Sequence, residues 1–299
     1  MSVYKNGNTI VEIQEDGTKI RYVPDNVPAL PLYPESIDMK ITNKCDLGCL
    51  MCHEQSIPNG IHGNLNHPII NSLHPYTEVA IGGGDPMGHP DIEKFLKKLK
   101  EKNVIANITV HWRSFDANFD TLIKWAADGL VHGIGVSVNE QIPCGIAQKL
   151  SVIRNVVVHT IMGVANDAVY HQMANRNLNI LLLGYKTFGR GIMYRTDNSI
   201  EIAKNIAWVQ KHINEFPEYF RAVSFDNLAI EQTGITNKLN PELFEQIYMG
   251  GDGSFTMYVD LVENKYAISS TSERHTIDCN TIDELFAMVR KKAGYATTG

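Results

Sequence analysis

From residue 36 onward the chain alternates short strand-like runs with helical ones, and that alternation leaves few folds open. SIDMKIT (36–42) enters a loop, and EVAIGGG (78–84) precedes the helical HPDIEKFLKKLKEKN and the strand-like NITVHW. FDTLIKWAADG precedes IGVSVN, a helical stretch over 142–151 precedes NVVVHTIMG, and NDAVYHQMANRN precedes NILLLGYK. The helical SIEIAKNIAWVQKHINEF and the strand-like AVSFDNLAI complete the series. Strands alternating with helices of this length predict a parallel sheet built from right-handed crossover units. Six or seven units predict an α/β fold that forms a full or partial β/α barrel rather than a small open sheet.

The two ends read differently. NTIVEIQEDGTKIRYVP predicts two short strands about an Asp16-Gly17 turn, a hairpin outside the main domain. The Pro-rich PDNVPALPLYP (24–34) follows as a linker. Near the other end, GGDGSFTMYVDLVENKYAISSTS predicts an antiparallel hairpin turning at Glu263-Asn264, and TIDELFAMVRKKA a closing helix. The expected organisation is a hairpin and linker over 1–35, a barrel over 36–238, and an appendage over 239–299 covering one end of the barrel.

Composition narrows the function classes. A hydrophobic fraction of 43% and a charged fraction of 20% are those of an ordinary soluble globular protein. The net charge of −6, from 27 basic and 33 acidic residues, offers no basic surface for nucleic acid. Apolar runs such as ILLL (180–183) are strand-sized, and MSVYKNGNTIVEIQEDGTKI holds no apolar segment of signal-peptide length. The expectation is a cytoplasmic protein without a membrane partner, whose thiols stay reduced.

In that setting CDLGCLMC stands out. Cys45, Cys49 and Cys52 crowd into eight residues of a chain with only two other cysteines, Cys144 and Cys279. Such spacing in a reducing compartment reads as a metal or cofactor site rather than a disulfide framework. The loop follows the first predicted barrel strand, and reactive sites of β/α folds lie at the carboxyl ends of strands. Structural zinc sites present two cysteine or cysteine/histidine pairs, and no second pair appears downstream. His53 or His62 would complete a zinc site, so that reading stays open. Iron–sulfur cubanes are held by four cysteine thiolates. Three leave one iron open to another ligand.

The C-x3-C-x2-C spacing resembles the radical S-adenosylmethionine (SAM) superfamily. The resemblance implies that Cys45, Cys49 and Cys52 ligate three irons of a 4Fe–4S cluster whose fourth iron is chelated by SAM. Gly83-Gly84-Asp85-Pro86 resembles the family's Gly-Gly-Glu-Pro-like turn at the SAM amino group, with Asp in place of Glu. Glycines there permit close backbone approach to a ligand, and a carboxylate suits a cationic amine. Met51 matches the family's hydrophobic position against the adenine. IGVSVNE matches the region that holds the ribose, making Ser137 and Asn139 candidates on one face of a strand. Ile161 and Gly163 resemble the segment that reads the adenine edge, and residues 185–191, with Lys186, resemble the stretch after the sixth strand. These matches run over residues 37–191 and imply the family's partial (β/α)6 barrel.

The chemistry implied is reductive cleavage of SAM to methionine and a 5′-deoxyadenosyl radical, which abstracts hydrogen from a substrate. A low-potential electron donor such as flavodoxin or ferredoxin is then a partner. The substrate is open: a peptide or protein side chain or a small metabolite, with His111, Arg113, His159, Lys186, Arg190 and Asp226 as polar candidates near strand ends. Cys279 is a candidate hydrogen donor to a substrate radical, and Cys144 a weaker one. The tail lacks the cysteines of family members that carry auxiliary clusters. Two other readings compete: a zinc-stabilised barrel with a binding or regulatory role, and a homologue that binds SAM without cleaving it.

Overall fold

A computed structural model describes residues 2–14 and 17–296. Asp16 of the expected amino-terminal turn lies outside them. Two sheets form. The first is a three-stranded antiparallel sheet of β1 (Ser2–Asn6), β2 (Thr9–Ile13) and β3 (Lys19–Tyr22). The expected hairpin is the β2–β3 pair. β1 is an addition, joined to β2 through Gly7 at φ +61°. A Cβ at Gly7 would meet the Leu30 carbonyl oxygen at 1.8 Å, so the turn packs directly on the linker.

The second sheet has ten strands: β4 (Ser36–Thr42), β5 (Glu78–Gly83), β6 (Ile105–His111), β7 (Gly133–Ser137), β8 (Val156–Ile161), β9 (Asn179–Leu183), β10 (Ala222–Phe225), β11 (Thr256–Asp260), β12 (Lys265–Ala267) and β13 (His275–Thr276). Its order is β10-β9-β8-β7-β6-β5-β4-β11-β12-β13, parallel from β10 through β11. The alternation read from sequence is thus realised as a large parallel sheet.

Three expectations need correcting. The tail does not merely cover one end: β11 pairs in parallel with β4, Asp260 opposite Lys40, and extends the main sheet. The β11–β12 hairpin then turns over residues 261–264 as expected. AVSFDNLAI is not one strand. β10 stops at Phe225, and the Asp226 carboxylate accepts from Ala229 N–H at 2.7 Å, capping helix Asn227–Thr233. Likewise Trp112 leaves β6 to open helix Trp112–Ala117, capped by His111.

Side chains alternate across the strands with period two. In β4, Ile37, Met39 and Ile41 are fully buried in the core, whereas Asp38 and Lys40 face the other way. Helices cover the apolar face. Helix Ile92–Glu101 buries Ile92, Phe95, Leu96 and Leu99, the i, i+3, i+4, i+7 stripe of an amphipathic helix. Each such buried side chain contributes roughly 1.5–3 kcal/mol of transfer free energy. The amino-terminal sheet sits at the opposite end from the strand-end loops. Arg21 makes two bonds to Glu35, at 3.0 and 2.9 Å, and Lys19 pairs with Glu78 at 2.7 Å, both at strand starts. Among the described residues no helix is long and apolar enough to cross a membrane.

Candidate cofactor site

The cysteine loop leaves β4 and is folded back on itself. Bridges pair Thr42 with His62 and Lys44 with Ile57, and Cys45 N–H donates to the Ile57 carbonyl at 2.9 Å. The turn after β5 then locks against the loop's start. Gly84 N–H donates to the Thr42 carbonyl at 2.7 Å and Asp85 N–H to the Lys44 carbonyl at 2.9 Å. A Cβ at Gly84 would lie 2.2 Å from the Lys44 oxygen, and one at Gly83, at φ +113°, 2.5 Å from the Thr42 oxygen. The cysteine loop's backbone by itself therefore requires glycine at both positions. Gly82 differs: nothing lies within 4 Å of where its Cβ would be.

A second clamp comes from the segment after β9. Arg190 Nε donates to the Cys49 carbonyl at 3.1 Å and its NH1 to the Ser56 carbonyl at 2.9 Å. Its backbone N–H reaches the Cys52 carbonyl at 3.1 Å. Gly189, at φ +57°, allows this approach, since a Cβ there would meet the His53 carbonyl oxygen at 2.3 Å.

Above the sheet's polar face these loops enclose a cavity of about 370 Å³. Cys45, Cys49 and Cys52 line it, together with Met51 on the same loop and Gly83, Gly84 and Asp85 after β5. Ser137, Asn139, Ile161 and Lys186 line it from β7, β8 and the β9 loop, as do His111, His159 and Arg190. Most of the residues singled out from sequence thus meet at one place, though not all in the expected manner. Asp85 spends its carboxylate on Ser114 Oγ (2.9 and 2.8 Å) and Met87 N–H (3.2 Å). Asn139 Oδ1 accepts the Ile161 N–H at 2.6 Å, and the Ile161 carbonyl accepts from Val164 and Ala165. Ile161 therefore offers the cavity its side chain, its backbone polar groups being occupied.

Other expected residues lie elsewhere. Gly163 faces helix Arg190–His212, its carbonyl accepting from Asn205 at 3.2 Å. Arg113 pairs with Glu140 in solvent, and Asp226 is the helix cap described above. Cys279 packs against the core with its thiol on the Thr281 carbonyl at 3.7 Å, away from the cavity lining. Cys144 is exposed. His62 bonds Thr42 Oγ1 at 2.9 Å and packs edge-on against His89. Among the described residues no three His, Cys, Asp or Glu side chains converge as a single-ion site.

No known family model and no curated protein matches the sequence. Solved structures do match the fold. Streptococcus suis SuiB bound to the precursor peptide SuiA aligns with a TM-score of 0.51 and 13% identity, covering 86% of this chain and 65% of that one. SuiB bound to S-adenosylmethionine aligns with the same score and identity, covering 86% and 66%. The likeness is one of fold. The chain spans less than two thirds of the length of SuiB.

The electrostatics of the cavity have definite causes. All five cysteines are free thiols. Burial, with repulsion from neighbouring thiols, pushes Cys45 and Cys49 above the ordinary thiol value. Binding a metal centre there would release protons. Beside them Glu54 is held ionised: burial opposes its charge, but His53, Lys40 and Arg274 outweigh it and carry it well below the usual carboxylate range. Burial, with the nearby Lys186, lowers the His53 value, and its contact with Glu54 opposes that. Asp38, on β4, faces the cavity with no hydrogen-bond partner among the described residues. Burial raises its carboxyl, and Lys186 opposes that.

Sequence reasoning missed Asp38, Lys40, Glu54, Tyr258 and Arg274. The available signal was SIDMKIT itself, where two charges share one face of an otherwise apolar strand. A buried charge needs a partner. For Arg274 no local signal existed.

His159 supplies a pH test. Burial, aided by Lys186, lowers its value from 6.5 to about 4. The unfolded chain therefore takes up the proton first as pH falls, and the stability contributed by the neutral ring is whole above pH 6.5 and lost between 6.5 and 4. The loss is on the order of 2 kcal/mol once cavity solvent is allowed for. Urea midpoints measured at pH 7 and pH 5 will differ less in His159→Gln than in the parent. An unchanged difference would refute the assignment.

Proposed function

We propose that this chain is a radical SAM enzyme. The observation that carries the reading is the meeting of the C-x3-C-x2-C thiols and the GGDP turn on one cavity at the carboxyl ends of parallel strands. The residues fit the group the family uses. Three free thiols face the cavity, and Gly82 leaves open the space a Cβ would fill. Cys45, Cys49 and Cys52 would hold a 4Fe–4S cluster, with Met51, Gly82, Ser137 and Lys186 placed to line SAM. When bound, cluster and SAM together supply an electron and a 5′-deoxyadenosyl radical for hydrogen abstraction.

The chain's own residues do the remaining work. The Arg190 clamp and the Gly84 contact fix the cysteine loop, and Ile161, Leu181 and Leu183 give the cavity an apolar wall that disfavours water beside a reactive centre. Asp38 and His159 face the cavity with no side-chain hydrogen bond among the described residues, which leaves both available to a substrate. A peptide substrate is supported by the fold's likeness to SuiB, crystallised with a precursor peptide. A small metabolite is the alternative class.

The competing zinc reading needs convergent ligands around one ion, whereas a cubane takes one thiolate per iron. Metal and sulfide analysis after anaerobic purification separates the two: about four irons with acid-labile sulfide, or one zinc. Incubation of the reconstituted protein with SAM and dithionite then yields 5′-deoxyadenosine. Its absence from a fully loaded protein leaves a SAM-binding homologue without cleavage activity.

A further inference from the structure

The tail contributes charged side chains to a buried cluster at the cysteine loop. Glu54 lies two residues after Cys52, its side chain 5% exposed. Arg274, between β12 and β13, donates to both its oxygens, at 3.1 and 3.0 Å. Lys40 on β4 reaches it at 3.1 Å, and the Tyr258 hydroxyl on β11 donates to it at 2.9 Å. Lys40 and Arg274 also bind Asp260, whose side chain is wholly buried, at 3.0 and 2.8 Å. Two cations and two carboxylates thus balance.

Arg274 also touches the second clamp. Its guanidinium lies 5.6 Å from the Phe188 ring centroid, just before Gly189 and Arg190, and 4.7 Å from that of Tyr258. Tail packing extends along the loop: Asn64 N–H donates to the Leu261 carbonyl at 3.3 Å, and a Cβ at Gly63 would strike Leu261 at 2.8 Å.

Buried ion pairs are weak contributors to stability, because desolvation offsets their attraction. What they do enforce is geometry, since moving one member strands the others without water or partner. Glu54 cannot shift without unpairing Arg274 and Lys40, and Cys52 is two residues away.

We infer that the β11–β13 tail is a component of the cysteine site, with Glu54 and Arg274 as positioning residues that hold Cys49 and Cys52 at the cavity. The inference about the loop concerns the metal-free chain; its extension to a bound cluster rests on the radical SAM reading.

The test uses the full chain in two states. In the metal-free protein, iodoacetamide labelling of each cysteine is followed by mass spectrometry. The charge-balanced double variant Glu54→Gln/Arg274→Gln keeps the Lys40–Asp260 pair, and labelling of Cys49 and Cys52 should rise about tenfold relative to Cys144 in the same molecule as the loop opens locally. Arg274→Lys keeps the charge without the two-pronged geometry and should fall between. Tyr258→Phe deletes one hydroxyl at constant shape and should raise labelling two- to threefold, roughly one hydrogen bond's contribution. It serves as the deciding variant if the double variant does not fold. In reconstituted protein, the double variant should lose the change that SAM makes in the electron paramagnetic resonance signal of the reduced cluster. Unchanged labelling of Cys49 and Cys52 in the folded variants overturns the inference. If the parent assembles no cluster, the radical SAM reading fails while the labelling result still decides the loop's anchorage.

Discussion

Cys49→Ala, reconstituted anaerobically, will fall from about four irons per chain to background and form no detectable 5′-deoxyadenosine. Cys45→Ala and Cys52→Ala will do the same, because in the proposed cluster each thiolate would hold a different iron, and Cys144 and Cys279 are not among the residues lining the cavity. Cys144→Ala will match the parent, since that side chain is exposed at the start of helix Cys144–Leu150. Cys279→Ala will also keep its iron and its SAM cleavage, being packed on the core beside Thr281. A loaded, active Cys49 variant would remove the ligand assignment. Loss of activity in Cys279→Ala with iron intact would instead restore that residue to the chemistry.

Two alanine substitutions one residue apart on either side of Gly83 should separate loop packing from cavity space. At Gly84 the added methyl meets the Lys44 carbonyl at 2.2 Å, a backbone atom that cannot swing aside. Gly84→Ala should cost about 1–3 kcal/mol in urea unfolding, the range for overpacking, and should lower iron occupancy as the cysteine loop moves. At Gly82 the methyl meets nothing within 4 Å and projects into space beside the cavity. Gly82→Ala should leave stability within about 0.5 kcal/mol of the parent. Its SAM affinity, read by equilibrium dialysis, should drop roughly tenfold, equivalent to about 1.4 kcal/mol. Equal behaviour of the two variants would show that the turn has a single role.

Much of the site was legible because its parts are local. Cys45, Cys49 and Cys52 lie on one loop, and Gly83 to Asp85 follow the next strand, so linear spacing and the strand–helix alternation place both at the same end of a parallel sheet. Period-two alternation put Ser137 and Asn139 on one face, and both line the cavity. The departures have two causes. Asp226 and Asp85 are short acidic side chains beside helix or turn starts, and in both a cap is realised, although Asp85 still lines the cavity. Gly163 and Cys279 were singled out on residue type and chain position, and packing against helix Arg190–His212 and the core turned them elsewhere.

The amino-acid sequence by itself determined the parallel sheet, the position of the thiols in the loop after its first main strand, and the glycine-rich turn beside them. Periodicity and local spacing encode these, and both are properties of neighbouring residues. Only the tertiary structure decided that β11 pairs with β4, that Arg274 closes on Glu54 across 220 residues, and that Gly84 serves the loop while Gly82 faces the cavity. Those outcomes depend on which distant groups share a desolvated space, where a charge must find its partner and a backbone its clearance.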